Sequence, residues 1–237
     1  ILALLAALSW SIASLISADI TRTLGAIGFN RIRLIFVSIM LIFYASFSNT
    51  WSSININFLI TIIISGIIGV FLGDTLLFLA LQKIGPRRNN ILFSLAAPFT
   101  IFLNIFVLNE KMLLVQLLGC FLVFAGVIVA IVYGNSNDNK HRWEIIEGSI
   151  RFGIIFGVLA ALCQAIGLIL MKPILSAGAD PIASAAIRTS ISAFLLSFTY
   201  FSNNKIIIDK SKFTINIILK TILSGFLGMA LGMSLFF

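Results

Sequence analysis

One aspartate, Asp74, stands well inside a long apolar run. An ionised carboxylate there costs at least a few kcal/mol unless it is paired, protonated or facing water. Two chemistries suit such a group: taking up and releasing a proton or cation, or holding an amine on a solute. The structural alternative is a helix-packing carboxylate bonded to neighbours such as Thr75. Trp10 and Gln164 offer an aromatic wall and an amide that could hold a small polar solute, although both residue types also serve helix packing. Pro98 removes a helix hydrogen bond and leaves the Ser94 carbonyl exposed or the helix bent, and Asn104 adds an amide farther along the same run. Asp74, Trp10, Gln164, Pro98 and Asn104 are the candidate substrate-binding or coupling residues. Cys120 and Cys163 lie within apolar runs and His141 in a polar joint, a spacing that suits no metal site, so no cofactor is expected.

The elements that must position these residues are membrane helices. Sixty per cent of the 237 residues are apolar and 10% are charged, far from a soluble composition. The apolar runs approach or exceed the ~20 residues that span a bilayer and do not alternate as barrel strands would. A backbone in hydrocarbon must satisfy its own polar groups, which leaves helices. Eight spans are expected: Ile1 to Ser17, Ile32 to Phe47, Phe58 to Leu81, Ile91 to Leu108, Leu113 to Tyr133, Ile150 to Met171, Ile182 to Phe201 and Phe213 to Phe237. The net charge of +8 sits in the joints between spans, as membrane topology requires, and does not point to nucleic acid.

The chain repeats itself. Leu5-Ala6-Ala7-Leu8 returns as Leu159-Ala160-Ala161-Leu162, Arg33 falls on Arg188, and Ser65-Gly66-Ile67-Ile68-Gly69-Val70-Phe71-Leu72-Gly73 returns as Ser224-Gly225-Phe226-Leu227-Gly228-Met229-Ala230-Leu231-Gly232. In this register Trp10 is the mate of Gln164, and Met233 stands where Asp74 stands in the first copy. Residues 1–133 read as a first five-helix unit, 134–148 as a polar linker and 149–237 as a second unit that stops in its third helix. On that register about 55 residues would complete a ten-helix chain. An odd helix count per unit places the second copy upside down relative to the first, an inverted repeat.

Basic residues support that orientation. Arg22, Arg31 and Arg33, then Lys83, Arg87 and Arg88, then Lys140, Arg142 and Arg151, then Lys205, Lys210 and Lys212 fall in joints of one side, while the opposite joints carry few. Arg33 and Arg188 read as snorkelling anchors near the starts of their spans, on opposite membrane faces. Asn109 reads as an N-cap of the fifth span, with Glu110 favouring its positive end.

The succession Gly73-Asp74-Thr75-Leu76-Leu77-Phe78, Leu95-Ala96-Ala97-Pro98, Leu108-Asn109-Glu110, Gln116-Leu117-Leu118-Gly119 and Ala125-Gly126, with Leu8-Ser9-Trp10-Ser11 at the front, resembles the EamA-type branch of the drug/metabolite transporter superfamily. The resemblance implies a ten-helix inverted-repeat carrier that exports amino acids, related metabolites or drugs through a cavity between its halves. It implies a multi-pass protein of a bacterial or archaeal plasma membrane, a monomer or homodimer in lipid. Its partners would be a small solute and a proton as coupling ion. The alternative from another class is an integral membrane enzyme acting on a lipid-linked substrate, which would need a clustered catalytic set.

Overall fold

The structure is a computed structural model that describes residues 2–133, 149–199 and 214–231. The expected linker 134–148 lies outside these residues, as do Lys205, Lys210, Lys212 and the stretch from Gly232 to Phe237 that includes Met233. Among the described residues every regular element is helical. The helices are α1 (Leu2–Leu24), α2 (Ala26–Phe47), α3 (Ile56–Ser65), α4 (Gly73–Phe93), α5 (Ala96–Leu108), α6 (Leu114–Val132), α7 (Ile150–Ser176), α8 (Pro181–Phe198) and α9 (Ile215–Gly225). Among the described residues six stretches are long and apolar enough to cross a bilayer, and the chain is an all-α, multi-pass membrane protein.

Both copies of the repeated glycine stretch depart from ordinary α-helix in the same way. Gly66–Leu72 joins α3 to α4, and Phe226–Leu231 continues α9, each as a wide π-helical turn. Such turns are rare, short and frequent at functional sites, because the widened ladder releases carbonyls for other partners. Here those carbonyls are taken by hydroxyl and indole donors from distant helices. Ser9 Oγ donates to the Leu227 carbonyl at 2.7 Å, Trp10 Nε1 to Gly228 at 2.8 Å and Ser192 Oγ to Gly66 at 3.0 Å. Ser65 Oγ donates in the other direction, to Gly167 of α7 at 2.8 Å, and Ser17 and Ser224 share a 2.6 Å bond.

Several expected boundaries move, and with them some residue roles. Gly25 has φ 76° and reverses the chain immediately after α1, so α2 begins at Ala26 and takes in Arg31 and Arg33. Those two arginines are not joint residues. Gly85, at φ 77° and ψ 168°, breaks α4 internally, and Pro86 follows it as the first residue of the next helical run. Glycine reaches that conformation without a Cβ clash, and proline suits a helix start because its missing N–H is not needed there. That run breaks again at Ser94 and Leu95, which places Pro98 in the first turn of α5 rather than mid-span. The Ser94 carbonyl accepts from Ala97 N–H at 3.3 Å, so Pro98 does not leave it bare.

Asn109 also changes role: with φ 52° it closes α5 as a left-handed C-cap, and α6 starts later, after Leu113. Glu110 instead pairs with Lys172 of α7 at 2.6 Å, on the exposed surface.

Much of the core joins helices of residues 2–133 to helices of residues 149–231, and one cluster, with Phe29, Phe78 and Leu81, lies within the first of these stretches. α4 packs chiefly against α7 and α2 against α8. One apolar cluster combines Leu34 and Val37 of α2 with Val70, with Ala186 and Leu196 of α8, and with Met229. α6 buries little against the rest and turns Leu117, Phe121 and Ile128 outward, as a lipid-facing helix does.

Candidate functional site

Asp74 follows the first wide turn directly, at the second position of α4. Its carboxylate accepts from Arg33 Nη1 of α2 at 2.8 Å, and both residues are buried, at 8% and 6% exposure. Arg33 is the eighth residue of α2, roughly 10 Å along the helix and far from a snorkelling position. The guanidinium lies 5.0 Å from the centre of the Phe78 ring, which in turn meets Phe29 edge-on at 4.8 Å. A face of aromatic electrons and a carboxylate thus stabilise the same cation. Thr75, the neighbour named in the structural alternative, is not the partner of Asp74. Thr75 Oγ1 donates to the Phe71 carbonyl and accepts from Asn30 Nδ2.

This ion pair forms part of the wall of a cavity of about 130 Å³. Trp10, Ser14 and Ser17 of α1, Asn89 and Asn90 of α4, and Gln164 of α7 line it, together with Ser224 and Gly228 from the second glycine stretch. Three of its lining residues carry buried polar atoms without a hydrogen-bond partner: Ser14 Oγ, Arg33 Nε and Asn89 Oδ1. Unsatisfied groups of this kind are uncommon and costly, and these three border the same space. The set contains a cationic donor, an amide acceptor and a hydroxyl that can do either, which suits a small solute with both kinds of polar group.

A second space of about 550 Å³ adjoins the first and is mainly apolar, lined by Ala7, Ala97, Ile101 and Leu168 among others. Trp10, Asn90, Phe93 and Gln164 line both. Trp10 and Gln164, paired by the repeat, therefore meet at the boundary between the polar and apolar spaces. Pro98 and Asn104 line neither; Pro98 is buried in α5, and the Asn104 amide oxygen is buried without a partner.

Arg188 lies deeper than a membrane anchor would. It is 3% exposed on α8, its Cα stands against Gly66, and its Nη2 against Gly69. Arg33 stands in the same relation to Gly225 and Gly228 of the second stretch. Each arginine of the repeated pair thus rests on the other copy's wide turn. The sequence pairs the two arginines but gives them the wrong depth: for Arg33 because it hides how early α2 begins, and for Arg188 because a place two turns into α8 reads as an anchor at its start. Ser14, Asn89 and Asn90 carry no signal in the repeat; the two asparagines sit beside Arg87 and Arg88 and read as part of a polar joint.

The sequence profile of the EamA-like transporter family matches residues 1–132. The chain is also similar to GDP-fucose transporter 1 of Monosiga brevicollis, 32% identical over 97 residues, which is 41% of this chain and 26% of that protein. The match spans about a quarter of that relative's length.

Proposed function

The chain belongs to the EamA-like transporter family, and on that footing we propose that it is a carrier moving a small polar metabolite by alternating access. That family is one of transporters, and the membrane-enzyme reading is set aside with it. In the proposed cycle the two copies, oppositely inserted, rock about the cavity between them and open it to one side at a time. The observation that carries the reading is the buried Asp74–Arg33 pair on the wall of a cavity whose lining comes from both copies. A buried ion pair has a cost that packing alone does not require, and it is well placed to be made and broken as the copies move.

The solute, in this reading, is an amino acid or a related metabolite, exported across a bacterial or archaeal plasma membrane. It meets Asn89, Asn90, Gln164 and Trp10 in the polar space. Proton uptake by Asp74 is one event that opens the pair. The full-length protein in proteoliposomes tests this: Asp74→Asn should abolish pH-driven accumulation of the solute, and unaltered uphill flux would rule the coupling role out.

A second reading of the cargo is favoured by the relative, whose name gives GDP-fucose as what it transports. A sugar nucleotide would set its charged part against Arg33 and its less polar part in the larger apolar space. Counterflow of labelled GDP-fucose against labelled amino acids separates the two readings.

A further inference from the structure

The buried charges near Asp74 do not balance. Asp74 is the sole buried carboxylate among the described residues, while Arg33 and Arg188 are both buried. Arg31 is buried too but has an interaction of its own. Arg188 lies within electrostatic reach of Asp74, yet its Nε and Nη2 have no hydrogen-bond partner. Leaving a guanidinium buried and unmatched costs several kcal/mol. The repeat shows where a partner would belong: Arg33 has Asp74, whereas Met233 occupies the equivalent position for Arg188. Among the described residues one buried carboxylate therefore faces two cations that the sequence register pairs.

We propose that Arg188 is the alternate partner of Asp74, and that an anionic group on the solute, a phosphate or a carboxylate, drives the exchange by replacing Asp74 on Arg33. The inference rests on the carrier reading and adds a second trigger for opening the ion pair. With the solute on Arg33 and Asp74 on Arg188, two buried cations meet two anions. A neutral solute brings no such gain. Both phosphate and carboxylate fit the planar guanidinium fork, so the same geometry accepts either.

A route for the exchange is built into the helix. Gly66–Leu72 ends immediately before Gly73 and Asp74, and Arg188 lies against Gly66 and Gly69 of this same segment. Tightening a wide turn by one residue into α-helix rotates everything beyond it by roughly 100° and shifts it by about 1.5 Å. That motion re-aims Asp74 without unfolding α4. The absence of side chains at Gly69 and Gly167 leaves the Arg188 guanidinium close to both backbones, since a Cβ on them would come within 2.9 and 3.2 Å of Nη2.

Thermal unfolding of the purified full-length protein tests the inference. The probes are sodium glutarate and guanosine diphosphate, set against glutaramide and guanosine, which lack the carboxylate and the phosphate, at equal ionic strength. An anionic probe should raise the unfolding temperature where its neutral counterpart does not. In Arg188→Met the displaced carboxylate has no second partner, and half-saturation by that anion should need about tenfold more of it. Arg188→Lys, which keeps the charge, should retain the response. Stabilisation by glutaramide or guanosine equal to that by the anions would leave the carrier reading standing and overturn the inference. So would an unchanged anion response in Arg188→Met, and stabilisation by neither anion would overturn it as well.

Discussion

Arg33 directs Nη1 at Asp74 and leaves Nε without a partner, so the pair is satisfied on one side only. This makes the two residues unequal to a simple structural lock. Asp74→Asn strands a buried guanidinium and should destabilise the protein by about 3–5 kcal/mol. Adding Arg33→Met should recover much of that loss while transport stays absent. Unfolding of the two single variants and the double variant measures the coupling, and additive losses would show that the pair does not act as a unit. Ser14→Ala should behave differently. Ser14 Oγ has no partner to lose, so stability should change by less than about 0.5 kcal/mol while solute affinity falls. At this scale the sequence drew attention to Asp74, Trp10 and Gln164, which the structure places on the cavity wall, because a lone acid in an apolar run and a repeat register both survive without coordinates. It concealed the partner of Asp74, which lies 41 residues away on another helix.

The two wide turns are the elements on which the packing depends. A Cβ on Gly66 would fall 2.9 Å from the Arg188 backbone, and one on Gly69 would fall 3.1 Å from the Gly167 Cα. Neither neighbour is a flexible side-chain end that can swing away. Gly66→Ala or Gly69→Ala should therefore cost about 1–3 kcal/mol, as overpacking does, and should slow any rocking of the copies. Gly119 and Gly126 of α6 have open space around them, and alanine at either should be neutral or stabilising by up to about 1 kcal/mol. Thermal unfolding of the four variants checks the contrast, and equal losses would contradict it. The all-helical class and the approximate position of most spans were legible because hydropathy reports the bilayer. The breaks at Gly25, Gly85 and Ser94 were not, since a positive φ or a kink leaves hydropathy unchanged. The repeated glycines were visible as a pattern, but their widened turns were not, because the pattern gives spacing and not hydrogen-bond register.

At the scale of the whole molecule, α2 packs on α8 and α4 on α7, and the cavity takes its lining from both stretches of chain. Reciprocal placement of Arg33 and Arg188 on the opposite copy's glycines is what a two-fold relation between the units would produce. The account requires that relation to run across the membrane, with the second unit inserted upside down. Thr23 at the end of α1 and Ala177 after α7 are exposed at equivalent turns of the two units. Single cysteines placed there in the full-length protein, with Cys120 and Cys163 replaced by alanine, can be labelled in intact cells with a membrane-impermeant maleimide. The account predicts that one of the two positions reacts from outside and the other only after the membrane is opened; reaction of both from the same side would contradict it.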